Sequence, residues 1–195
     1  SETCDDSGTT PGDGCDGVCQ IESGWSCSGV PSLCSEVCGD GIVTASETCD
    51  DSGTTPGDGC DAACQIESGW SCSGVPSLCS EVCGDGFISA SETCDDSGTT
   101  PGDGCDAACQ IESGWSCSGV PSLCSEVCGD GFISASETCD DSGTTPGDGC
   151  DGVCQIESGW SCSGVPSLCS EVCGDGIITS SETCDDSGTT PGDGC

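Results

Sequence analysis

The chain has 195 residues, with 36 acidic side chains, 26 cysteines, 33 glycines and no lysine, arginine or histidine. A formal charge of −36 has the wrong sign for nucleic acid or an anionic lipid surface, and no apolar run approaches the roughly 18 residues of a membrane-spanning helix. Cysteine at this density marks a disulfide scaffold of secreted or cell-surface proteins, and argues against the disorder that high charge and few aromatics would otherwise imply.

The sequence repeats every 45 residues: SETCDDSGTTPGDGCD begins at Ser1, Ser46, Ser91 and Ser136, and a fifth copy opens at Ser181 and stops at Cys195. Such a period reads as a linear array of small units. The copies differ at few places, such as Gly17-Val18 against Ala62-Ala63 and Ile42-Val43 against Phe87-Ile88. These trades of small or apolar residues suit a buried contact. The bulky apolar set of one copy (Val18, Ile21, Trp25, Val30, Leu33, Val37, Ile42 and Val43) is too small to fold 45 residues without staples.

Within one repeat the first segment is CGDGIVTASETCDDSGTTPGDGCD, residues 38 to 61, which carries six acids and no base. Two carboxylates roughly 5 Å apart repel by about 3 kcal/mol at an effective dielectric near 20, so a positive partner is expected. Asp40-Gly41-Ile42 through Glu47 matches the second half of a calcium-binding EF-hand loop: an Asp, the turning Gly, an apolar residue and the final Glu. The first half is missing, because Glu36 and Cys38 occupy its first and third positions. Asp50-Asp51 and the Gly-Asp58-Gly turn add further oxygens. The alternative is a solvated acidic face. The calcium reading predicts ligands among Asp40, Glu47, Asp50, Asp51, Asp58 and Asp61, and among their copies Asp85, Glu92, Asp95, Asp96, Asp103, Asp106, Asp130, Glu137, Asp140, Asp141, Asp148, Asp151, Asp175, Glu182, Asp185, Asp186 and Asp193.

The next segment, CDAACQIE at 60 to 67, is expected to form one helical turn capped by Asp61. A short strand or strand pair is expected through GWSC and the residues after it. Elsewhere Gly, Ser, Asp and Pro favour turns. The fold class is therefore small and disulfide-rich: mostly irregular, with short β-structure and a helical turn, in tandem modules stacked in a linear array. Cysteines follow one another with 10, 3, 7, 6 and 3 intervening residues, which lacks the close pairs of a metal-thiolate site. Disulfides are expected, and the six cysteines of a repeat allow 15 connectivities. Trp70 and its copies either cover a disulfide or stack a sugar. Thr54-Thr55-Pro56 and its copies either carry O-glycans or form a polar turn.

The pattern CGDG-x6-E-x-CDD-x5-GDGC-x3-C-x2-E-x-GW-x-C-x6-C resembles the Myxococcus cysteine-rich repeat family over the whole chain. That resemblance implies tandem modules on large secreted and surface proteins, with no enzymatic activity. It implies boundaries just before Cys38, Cys83, Cys128 and Cys173, dividing the chain into a partial module at 1–37, modules at 38–82, 83–127 and 128–172, and a partial module at 173–195. Three bridges are expected inside each module. The ends, with five and three cysteines, each leave one without a partner. The family reads CDDGN where this chain has Cys49-Asp50-Asp51-Ser52-Gly53. The logic is also similar to the Lin12/Notch repeat, a three-disulfide module built around calcium.

No His, Lys or Tyr is present, and near-identical copies do not build one asymmetric pocket, so an enzyme is not expected. The sequence favours a structural protein of an extracellular fibre or stalk, stabilised by calcium, whose partners are copies of itself and glycans. The competing reading is a calcium-dependent adhesion or binding array on a cell surface.

Overall fold

A computed structural model describes residues 2–190. The chain divides into two compact units, 1–92 and 93–195. The first contains strands β1 (Trp25–Ser28), β2 (Leu33–Glu36), β3 (Trp70–Ser73) and β4 (Leu78–Glu81). The second contains β5 (Trp115–Ser118), β6 (Leu123–Glu126), β7 (Trp160–Ser163) and β8 (Leu168–Glu171). Consecutive strands pair as antiparallel hairpins, so the expected strand pair after GWSC is present in each of the four full copies. In β3–β4, Trp70 faces Glu81 and Cys72 faces Cys79, while Ser71 faces Ser80 and Ser73 faces Leu78. Directly opposed residues share a face of a sheet. One face therefore holds Trp and a cystine half-buried, and the other exposes serines and a leucine.

The core is made of cystine. In the first unit Cys49, Cys60 and Cys64 are fully buried, with Cys38, Cys72 and Cys79 packed against them. In the second, Cys139, Cys150 and Cys154 sit among Cys128, Cys162 and Cys169. The bridges Cys49–Cys60, Cys72–Cys79 and Cys38–Cys64 span 11, 7 and 26 residues, and the same three spacings recur at Cys139–Cys150, Cys162–Cys169 and Cys128–Cys154. Closing loops of this size stabilises a chain by roughly 3 kcal/mol per bridge in the chain-entropy account. The aliphatic residues are not the core. Val30 and Leu33 are 101 % and 79 % exposed, and Phe87 is 49 % exposed. The apolar exchanges between copies at Val18 and Phe87 are therefore tolerated because those side chains face water, not because they fill a buried contact. Trp70 takes the covering role: its ring lies over Gly59 beside Cys79.

The helical turn expected at 60–67 is absent, and no helix occurs among the described residues. Cys64 adopts φ +52°, in the left-handed region, which interrupts any right-handed turn there. The Asp61 carboxylate instead accepts the N–H groups of Ala63 and Gln65, both at 2.9 Å, and Cys60 bridges to Ile66 in antiparallel fashion. Asp competes well for nearby backbone donors, which favours such side-chain-closed turns over helix.

Each hairpin is fixed on two sides. Its turn is held to the preceding acidic loop, as Ser77 N–H donates to the Asp50 carbonyl at 2.6 Å and Asp50 N–H donates to Ser77 Oγ at 3.0 Å. Its other end meets the following loop: Ser91 N–H donates to Glu81 Oε1 at 3.0 Å. The same two attachments recur in the second unit at Asp140 with Ser167 and at Glu126 with Ser136.

Two glycines of one loop should respond differently to alanine. At Gly59 (φ +109°) a Cβ would stand 2.4 Å from Cys79 Cβ and 2.8 Å from the Trp70 ring; at Gly57 (φ +97°) it would meet nothing within 4 Å. Gly57→Ala should cost only the backbone strain of about 1–2 kcal/mol, whereas Gly59→Ala should cost at least about 3 kcal/mol through displaced core contacts. Urea unfolding of both variants checks the difference.

Candidate functional site

The acidic segment folds as a series of turns, each closed by one of its own carboxylates. Asp50 is the centre. It is completely buried, in a chain with no cationic side chain to meet its charge. Backbone N–H groups meet it instead. Oδ2 accepts from Gly39 at 2.8 Å and Asp40 at 3.1 Å, and Oδ1 accepts from Gly41 at 2.9 Å and Ser52 at 2.8 Å. Gly39 and Gly41 have φ of +90° and +84°, which turns successive N–H groups toward one point, the geometry of an anion-binding nest. A side chain at Gly39 would lie 2.8 Å from the Gly53 carbonyl oxygen, so only glycine fits there. Asp140 has the same four donors, Gly129, Asp130, Gly131 and Ser142, at 2.7 to 3.1 Å. Asp185 has Gly174, Asp175, Gly176 and Ser187. Asp95 is likewise buried and accepts from Ser97 at 2.8 Å.

Burial pushes the Asp50 carboxyl up, but the donors Ser52, Gly41, Gly39 and Asp40 outweigh it and hold the group below the usual carboxylate range. Asp140 is lowered by the same balance, and Asp185 is lowered chiefly by the Ser187 N–H. Stabilised anions of this kind need no counter-ion.

The other predicted ligands serve smaller turns. Asp40, Asp85, Asp130 and Asp175 each accept the N–H two residues on, at Ile42, Phe87, Phe132 and Ile177. Asp51, Asp96, Asp141 and Asp186 do so with Gly53, Gly98, Gly143 and Gly188. Asp106 and Asp151 reproduce the turn of Asp61. Glu47, Glu92, Glu137 and Glu182 reach back to the N–H three residues before, at Thr44, Ser89, Ser134 and Thr179. Asp58, Asp103 and Asp148 stand apart: all three are exposed and accept no hydrogen bond. Asp193 lies outside the described residues.

Two acids outside the predicted set do equivalent work. Glu67 accepts from Gly57 at 2.7 Å and Gly59 at 2.9 Å, clamping the Gly-Asp-Gly turn. Glu81 accepts from the Ser91 hydroxyl and N–H, and these hold its carboxyl below the usual range. The sequence shows the Gly-x-Gly turn, whose convergent N–H groups require an acceptor, but not that Glu67 supplies it, and no such turn marks the partner of Glu81.

Four groups of the described residues bring ligand atoms within 4.8 Å of one another: Cys4, Cys15 and Cys27; Cys38, Glu47 and Cys64; Cys83, Glu92 and Cys109; and Cys128, Glu137 and Cys154. In all four the sulfurs are in disulfides, and a disulfide is not the thiolate that soft metals select. The glutamate oxygens are a different matter. Glu47 Oε1, Glu137 Oε1 and Thr44 Oγ1 are buried atoms without a hydrogen-bond partner. Hard cations bind such oxygens, although calcium asks for six to eight of them. No three carboxylates of the described residues converge within that 4.8 Å.

A family model described as a domain of unknown function (DUF4215) matches residues 22–65, 66–110, 111–155 and 157–195. The chain belongs to this family. No curated protein and no solved structure matches it. DUF4215 repeats are tandem cysteine-rich units, in keeping with the kind of repeat the sequence pattern suggests. Cutting at 22–65 or at 38–82 leaves every described bridge of the first unit inside one repeat, so the pairing is indifferent to the frame.

Asp50 and Asp140 give a pH signature. Their folded-state pKa lies below the unfolded value of about 3.9, so their stabilisation is complete above that pH and is lost as pH falls through the folded pKa. Asp50→Asn with Asp140→Asn should cost roughly 3 kcal/mol per site at pH 7, since charge-assisted bonds are removed and donors are left facing donors. The gap between variant and parent should close as the pH drops below about 4. Denaturant midpoints at a series of pH values measure it.

Proposed function

We propose that this chain is a non-catalytic structural segment of an extracellular fibre or stalk, built from DUF4215 repeats and stiffened by calcium. The observation that carries it is the two-sided attachment of each hairpin. Ser77 locks the hairpin to the acidic loop before it and Glu81 to the loop after it, so within each compact unit successive repeats share hydrogen bonds. A display module on a flexible tether would have few contacts crossing its ends. No helix among the described residues is long and apolar enough to cross a membrane. The bridges accord with an extracellular setting. So does the likeness to the Myxococcus cysteine-rich repeats, which occur on secreted and surface proteins. The partners in this reading are other copies of the chain.

Calcium enters at the buried oxygens that the turns leave over. The unpartnered Glu47 Oε1 and Thr44 Oγ1, and Glu137 Oε1 in the second unit, are the anchoring atoms, and carbonyls and water complete the shell. Asp50 and Asp140 are not ligands in this reading, because their oxygens already take four backbone donors. Calcium that binds only the folded chain stabilises it by about 2.7 kcal/mol at one hundred times its dissociation constant. Glu47→Gln with Glu137→Gln should remove most of that gain while the metal-free stability changes by less than about 1 kcal/mol. Thermal unfolding with calcium and with chelator checks this. A parent protein whose midpoint ignores calcium would leave the array without its metal.

The competing reading, an adhesive surface array, draws support from the exposed Val75 and Leu78 at the hairpin tip, 65 % and 79 % exposed. Electron microscopy of the native material separates the two. Continuous filaments support the structural role, and dispersed single chains support adhesion.

A further inference from the structure

The ring closed by Cys49–Cys60 holds an outward arm, residues 54 to 58, in which every residue is exposed. Its base is rigid: the cystine closes one side, and the Glu67 carboxylate holds the N–H groups of Gly57 and Gly59 on the other. Thr54 and Thr55 have no regular secondary structure, and Pro56 biases Thr55 toward an extended backbone. The two threonines differ. A side chain at Gly39 would meet the Thr54 methyl at 3.0 Å, and the equivalent distance from Gly129 to Thr144 is 2.9 Å, so this first threonine leans on the amide nest. Thr55 is exposed and makes no hydrogen bond.

Of the other threonine hydroxyls, that of Thr44 is buried without a partner, while those at two other places are hydrogen-bonded. Thr48 Oγ1 accepts the Ile66 N–H at 2.8 Å and reaches Gln65, and Thr179 Oγ1 donates to Glu182 at 3.0 Å. Position 44 exchanges Thr for Ser between copies, and positions 42 and 43 exchange among Ile, Val and Phe. Thr55 recurs as Thr10, Thr100, Thr145 and Thr190 without change, each exposed. A hydroxyl that the fold does not use stands on a braced, extended, proline-flanked arm in each of the four copies whose arm is described in full.

We propose that the second threonine of each arm is an O-glycosylation site, one sugar chain per repeat. The substrate is a sugar activated as a nucleoside or lipid diphosphate. The Thr55 Oγ1 attacks the anomeric carbon, and a C–O bond forms as the bond from that carbon to the phosphate breaks. The phosphate departs with the electron pair, and the hydroxyl proton passes to a base of the transferase. The chain has no asparagine at all, so N-linked sugar has no acceptor. An uncharged glycan at each arm would hydrate the surface without adding to its negative charge.

The test is peptide mass and electron-transfer fragmentation of the chain as its own cells secrete it. The expected mass of the peptides that span each arm exceeds that of the bare polypeptide in steps of one hexose or hexosamine residue. Fragment ions should place those residues on the second threonine of the arm, and mild alkali should remove them by β-elimination. A companion variant with Thr10, Thr55, Thr100, Thr145 and Thr190 changed to valine, made in the same cells, should lose the added mass. Its melting temperature, measured against parent protein produced without transferases, should be unchanged. Arm peptides of the secreted parent at the bare polypeptide mass, or sugars confined to Thr54-type positions or strand serines, overturn the assignment.

Discussion

The interaction on which this fold depends is a buried carboxylate cradled by backbone N–H groups. A chain with no cationic side chain cannot neutralise Asp50 by an ion pair, and an uncompensated buried charge is prohibitively costly. Four N–H donors supply the positive potential in its place. The requirement propagates outward. The donors converge only if Gly39 and Gly41 take positive φ, and Gly39 has room for no side chain beside Gly53. The Asp50 backbone in turn anchors Ser77 and thereby the hairpin. One aspartate thus sets the local turn, the position of the hairpin and the local requirement for glycine.

This arrangement accounts for the composition. Seven of the eight acids in a repeat accept at least one backbone N–H, the exception being Asp58 and its described copies. Acid and glycine are complementary here, one supplying the acceptor and the other the backbone freedom that aims the donors. With turns fixed in this way and sulfur occupying the interior, no aliphatic core is needed, and Val30 and Leu33 can face water. Lateral contact between copies or decoration of the surface then becomes the natural use of those outward residues.

Much of this was legible from the residues. The period, the disulfide framework and the strand pair after Gly-Trp followed from spacing and alternation, because these depend on covalent and short-range rules. The helical turn at 60–67 did not survive, since Asp61 offered its neighbours a better acceptor and Cys64 was drawn into a left-handed conformation by its place in the turn. At Asp50 the positive potential comes from backbone N–H groups, a source the sequence reading did not name. Charge inventories count side chains, and the partial charges of backbone N–H groups become visible only when glycine turns aim several of them at one atom. For the same reason the roles of Glu67 and Glu81 were hidden: each acts on a donor eight to ten residues away, across a turn whose geometry the sequence does not state.

The most direct measurement is an NMR titration of the Asp50 and Asp140 side-chain carboxyl carbons in metal-free buffer containing chelator. If backbone donors are the counter-charge, both carboxyls titrate below the usual carboxylate range without any cation, and the amide protons of Gly39, Gly41 and Ser52 shift in step with Asp50. Carboxyls that titrate at or above the ordinary value until calcium is added would contradict this account, because a metal ion and not the backbone would then be holding the fold's central charge.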